Sequence, residues 1–230
     1  MEPVRENLTL LPDECRALGT LIEKAMTVAT QYPLSLNSLV TGVNQKNNRD
    51  PVVEIDEDDA LRAVDGLRAK GLVRDVTMTG SRVEKYRHVA GEALGLRAPE
   101  LAVLAELLLR GPQTVGELRG RASRMQALES LEVVENILQG LSLPGEGRAA
   151  LVRELPPLPG SRAARWMQLL CEDLHPIAAG APVAAAPIAA SSAQSRIDAL
   201  ESKVAALEAL VTALQASLAE TRSQLGLPQA

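Results

Sequence analysis

Apolar residues recur at helical spacing from residue 12 to 30, with Leu18, Leu21, Ile22 and Ala25 falling on one face. Ser35 then stands where an N-cap belongs, ahead of a short second helix carrying Leu36, Leu39, Val40 and Val43. Asp56 caps a third predicted helix, in which Ala60, Val64 and Leu67 face inward. Its first turn holds Glu57, Asp58 and Asp59, where the positive end of the helix dipole favours acids. Gly71 closes that helix. "LVRDVTM", a Gly80-Ser81 turn and "RVEKYRHV" then read as a two-stranded hairpin.

The same order returns in the second half. Leu104, Leu107 and Leu108 make the inner face of a first helix. Thr114 and Leu118 in "GPQTVGELRGR" stand four residues apart, as Ser35 and Leu39 do in "YPLSLNSLV". Val134, Ile137, Leu138 and Leu141 match Ala60, Ala63, Val64 and Leu67. "LVRE" at 151–154 echoes "LVRD" at 72–75, and "GSRAARW" at 160–166 echoes "GSRVEKY" at 80–86. Three helices followed by a hairpin, twice over, predict a mainly α chain with small β wings: two tandem winged helix-turn-helix domains, at 8–95 and 96–176.

A different pattern follows. Residues 177–194 are rich in Ala and Pro and read as a linker. Over 195–225 a heptad register places Ile197, Val204, Val211, Leu218 and Leu225 at a, and Leu200, Leu207, Leu214 and Thr221 at d. β-Branched residues at a with Leu at d favour a parallel dimeric coil. Arg196 with Glu201 and Lys203 with Glu208 give opposite charges across such a dimer. The expected dimerisation seam is therefore Ile197, Leu200, Val204, Leu207, Val211, Leu214 and Leu218, with a trimer or a single helix folded back on the domains as alternatives.

Composition adds limits. Of the 230 residues 46% are hydrophobic, yet Phe is absent and Tyr32, Tyr86 and Trp166 are the aromatics, so cores must be aliphatic. A net charge of −5 makes any nucleic-acid contact a matter of local patches. Cys15 and Cys171 lack metal-ligand spacing and fit two ordinary thiols in a reducing compartment. With no leader-like N-terminus and no apolar run of about 18 residues, a cytoplasmic protein without a membrane span is expected.

"LGTLIEKAMT", "QYPLSLNSLVTGVNQKNNRDPV", "GLVRDV", "GSRVEKYRH" and "LLLRGPQTVGELRGR" resemble the YceH-type family of uncharacterised bacterial proteins, over about residues 8 to 170. The resemblance implies a pair of winged-helix domains of unknown biochemical role, and supplies no catalytic residues.

Candidate chemistry lies mostly in basic side chains. In "NQKNNRD" at 44–50, Lys46 and Arg49 are placed to contact phosphates, the alternative being a polar helix end and loop. Arg62 lies on the outward face of the third helix, among acids that would meet a phosphate backbone badly. From Arg68 to Arg87 six basic residues face two acids, and Arg82 and Lys85 in this wing could follow a backbone or enter a minor groove. Arg119, Arg121 and Arg124 cluster near the end of the second repeat's second helix.

His88 and His175 read as surface or edge residues, and Glu23-Lys24 as a staple for the Gln31–Tyr32 turn. Tyr86 and Trp166 read as wing-strand anchors. No phosphate-binding glycine loop, nucleophile triad or metal set emerges, so neither enzyme nor cofactor is expected. The leading expectation is a dimer binding duplex DNA through wings and Arg clusters. The alternative is a protein-interaction adaptor in which winged helices dock an unknown protein partner.

Overall fold

The first helix, α1 (Pro12–Thr27), begins where Pro12 can occupy a first-turn position without losing a needed N–H. The Glu14 carboxylate accepts the Leu11 N–H at 2.8 Å. In the computed structural model, which describes residues 8–77, 83–145 and 148–176, α1 is followed by β1 (Leu34–Ser35) and α2 (Leu36–Val43). Ser35 caps α2 by accepting the Ser38 N–H, as expected. Asp56 caps α3 (Glu57–Ala69) through the Asp59 N–H at 2.8 Å, and Asp59 returns the bond to the Asp56 N–H. Past α3 the chain turns at Gly71, whose φ of +66° suits a residue with no Cβ. It then enters β2 (Val73–Val76) and β3 (Lys85–His88), which pair antiparallel.

After a short α4 (Ala90–Leu94) the order repeats as α5 (Ala98–Arg110), β4 (Gln113–Thr114), α6 (Val115–Ala122), α7 (Leu131–Ser142), β5 (Val152–Leu155) and β6 (Arg165–Gln168). Thr114 and Ser130 cap α6 and α7 as Ser35 and Asp56 cap their counterparts. Each half has a three-stranded antiparallel sheet with its long hairpin plus the two-residue strand, in the orders β1-β3-β2 and β4-β6-β5. Tyr86 lies opposite Leu34 and Asp75; Trp166 lies opposite Gln113 and Glu154. The duplication read from the sequence thus extends to strand register.

Three details depart from the expectation. α1 stops at Thr27 rather than running to residue 30, and a single 3₁₀ turn at Ala29–Gln31 takes over. β1 and β4 carry no sequence signal, since two residues cannot display an alternating pattern. Nor does α4, only five residues long.

One apolar core runs through both repeats: α1 packs on α5, and Leu18, Leu21, Ile22, Leu104, Leu107 and Leu108 are buried together. Gly19 permits this approach, because a Cβ there would lie 3.0 Å from Leu109 and 3.1 Å from Leu108. The expected boundary at 95/96 separates the elements of the two repeats but not their cores. Tyr86 is buried as an anchor, while Trp166 is half-buried. No helix among the described residues is long and apolar enough to cross a membrane. Arg82, the linker at 177–194 and the coil at 195–225, with Ile197, Leu200, Val204, Leu207, Val211, Leu214 and Leu218, lie outside the described residues.

Candidate nucleic-acid interface

The polar run between α2 and α3 is chiefly a packing element. Asn44 brackets Ile55, donating its amide to the Ile55 carbonyl at 2.8 Å and accepting the Ile55 N–H at 3.0 Å. Asn48 takes the left-handed conformation, φ +58°, that short amide side chains tolerate. Its Oδ1 accepts from Arg110 at 3.1 Å, and the Asp50 N–H reaches the Leu109 carbonyl at 2.9 Å. The loop therefore staples the first repeat to the end of α5. Lys46 alone of its two expected phosphate contacts is exposed.

Arg49 corrects the sequence reading. It points inward with its side chain 0% exposed, donating to Glu23 Oε2 at 2.6 Å and to the Gly42 and Asn48 carbonyls. A buried guanidinium needs an anion and carbonyls more than it needs solvent, and this site supplies them. Glu23 likewise does not staple the Gln31–Tyr32 turn. Its second oxygen accepts from Arg124 at 2.5 Å, and Lys24 turns to Gln45 at 2.9 Å.

Arg124 spans the repeats. Its other nitrogen donates to Glu106 Oε2 at 2.9 Å, so one guanidinium joins an acid of α1 to its counterpart in α5. The two acids are displaced in opposite directions. For Glu23, burial pushes the carboxyl up, but the Arg49 hydrogen bond and the charges of Arg49 and Arg124 outweigh it, leaving it below the usual range. For Glu106 burial dominates over Arg124 and the carboxyl is raised. The difference has a geometric basis: Glu106 Oε1 is buried without a hydrogen bond, and Arg110 Nε stays 3.7 Å away. The sequence does not single this network out, because α1 also carries Asp13, Glu14, Arg16 and Lys24, and α5 also carries Glu100 and Arg110.

Arg16 sits deeper still, donating to the carbonyls of Leu109 at 2.8 Å and Pro51 at 2.7 Å, with burial lowering its pKa to about 10. His175 is no surface residue: it is buried, with Nε2 2.7 Å from the Asp50 carbonyl. His88 is half-buried, and burial lowers its pKa to about 4. Both thiols, Cys15 and Cys171, are free and buried.

Most remaining basic candidates are occupied by local partners. Arg62, 70% exposed, pairs with Asp59. Arg68 holds Asp65 and Asp75, each at 2.6 Å. Arg119 donates to the Glu129 carbonyl at 3.0 Å, and Arg121 to Gln113 at 2.8 Å and Glu117 at 3.3 Å. Lys85, half-buried on β3, has no ion pair among the described residues. α7 contains no Lys or Arg and exposes Glu132 and Glu135 beside Leu131 and Val133. Of the described candidates, Lys46 and Lys85 are left without an acidic partner.

Residues 10–175 match a family model described as a protein of unknown function, DUF480. A "UPF0502 protein" of Geotalea daltonii is 48% identical over 176 residues, spanning 76% of this chain and 79% of the relative. Another from Geobacter sulfurreducens is 45% identical over 189 residues, 81% of this chain and 84% of its own. One from Pelobacter propionicus is 51% identical over 162 residues, covering 70% and 72%. The resemblance to an uncharacterised bacterial family is borne out.

Proposed function

Because this chain belongs to the DUF480 family of bacterial proteins of unknown function, we propose its role from surface chemistry: a cytoplasmic, non-catalytic adaptor whose two winged-helix repeats dock another protein. A homodimer formed through the 195–225 coil completes the proposal. The observation that carries it is the third helix of each repeat. α3 opens with Glu57, Asp58 and Asp59 and has Arg62 and Arg68 paired to acids, while α7 has no cation at all. Duplex DNA carries one negative charge per about 1.7 Å of axis, so a groove-entering helix of this kind would be repelled. The inward turn of Arg49 removes one further cation from the surface supply, and Arg124, part-exposed, is held by Glu23 and Glu106.

Duplex DNA binding is the second reading, favoured by Lys46 and Lys85, which no acid among the described residues engages. With Arg82, which the sequence sets between β2 and β3, they could contact a backbone without helix readout. Fluorescence anisotropy of a labelled random duplex across a salt series separates the two. The adaptor reading expects no affinity near physiological salt. Binding that falls steeply with salt, and that Arg82→Glu with Lys85→Glu abolishes, would replace it with the DNA reading.

A further inference from the structure

Between the N-terminus of α6, the outer face of α7 and the β5–β6 hairpin lies a groove of about 510 Å³, lined by Thr114, Glu135, Gln139, Glu154 and Trp166 among others. Glu154 and Trp166 are directly opposite each other in the sheet, so their side chains share a face, with Cβ atoms about 5 Å apart. Neither Glu135 nor Glu154 has an ion pair or hydrogen bond among the described residues. Arg165 precedes Trp166 on β6 and so projects to the other side of the strand. Two uncompensated carboxylates and an indole face surround a space that a cation fits.

The first repeat indicates which cation. Asp75 opposite Tyr86 is the counterpart of Glu154 opposite Trp166, the register being the same in both sheets. In that repeat the strand acid is neutralised internally, by Arg68 of α3 at 2.6 Å. With the buried faces of α3 and α7 aligned, Ala60 on Val134 and Leu67 on Leu141, Arg68 corresponds to Ser142. Ser142 is neutral, and its hydroxyl is spent on the Gln139 carbonyl at 2.8 Å. The second repeat therefore keeps the acid and the aromatic but lacks the guanidinium.

We propose that this groove binds an arginine-bearing, basic segment of the partner protein, whose guanidinium takes the place Arg68 fills in the first repeat. Glu154 and Glu135 would hold the charge and Trp166 would stack on it, since a guanidinium is both a bidentate donor and a good partner for an indole face. The inference rests on the adaptor reading and specifies its partner's chemistry. Nucleic acid is disfavoured here by the same two carboxylates.

Trp166 is the sole tryptophan, so its fluorescence reports on this groove directly. The test titrates the full chain with a capped peptide alternating arginine and alanine, and with its neutral citrulline counterpart. A saturable change is expected with the arginine peptide alone. Glu135→Gln with Glu154→Gln should weaken it by about tenfold or more, while Glu57→Gln with Asp58→Asn on the other repeat leaves it intact. All four acids are exposed, and circular dichroism checks that each variant is folded. No fluorescence change, an equal response to citrulline, or equal weakening by both double variants would overturn the proposal. If it fails while the random duplex still goes unbound, the adaptor reading survives with another docking face. If the duplex binds, that reading itself falls.

Discussion

Glu23→Ala is the most informative perturbation of the scaffold, because it removes one carboxylate that two guanidinium groups share. Glu23 is 2% exposed and the Arg49 side chain 0%, so water cannot replace the lost anion at Arg49 without opening the α1–α2 contact. Stripping one partner from a buried ion pair costs about 3–5 kcal/mol. Arg49 keeps the Gly42 and Asn48 carbonyls, at 2.8 and 2.9 Å, which places the expected loss near the lower end, about 3 kcal/mol. For a unit of this size that is a fall in Tm of roughly 6–12 °C. Replacing both partners, Glu23→Met with Arg49→Met, leaves no stranded charge and should recover at least half of the loss. Urea unfolding of the full chain followed by circular dichroism measures both. The sign with pH is also fixed. The Glu23 carboxyl is held below its ordinary 4.5, so its contribution is complete above that value and disappears as pH falls through the lowered one. The gap between wild type and Glu23→Ala should therefore close on acidification. A single variant within about 1 kcal/mol of wild type, or a double variant no better than the single, would refute the account.

Two further outcomes test the packing and the half-buried His88. Gly19→Val should destabilise by about 1–3 kcal/mol, because the added carbons enter space held by Leu108 and Leu109 at 3.0–3.1 Å; an unchanged urea midpoint would mean α1 and α5 separate easily. Burial lowers His88 from 6.5 to about 4, so the folded state resists a proton that the unfolded chain accepts. Stability should be complete above about 6.5 and decline as pH falls toward 4, and His88→Gln should flatten that decline in urea midpoints taken across the range.

Local order in this chain is legible from its residues because it depends on short-range rules. Helical spacing around Leu18, Leu39, Val64 and Leu104, with caps at Ser35, Asp56 and Thr114, marks helices that form where expected. The matched landmarks announce a duplication that carries through to sheet register. What spacing cannot express is which side chain a distant residue meets. Arg49 and Lys46 look alike three positions apart, yet one is buried against Glu23 and the other exposed. That outcome is set by α1 packing on α5, which brings Glu23 and Glu106 within reach of one Arg124 and makes burial of charge tolerable. Likewise Asp75 and Glu154 occupy the same sheet position, and only the facing helix, with Arg68 in the first repeat and Ser142 in the second, leaves Asp75 neutralised and Glu154 open. The pattern of apolar positions dictates the elements because each helix must hide a face. The charge each surface presents is decided by packing, because an ion's fate depends on the neighbours that three dimensions bring to it.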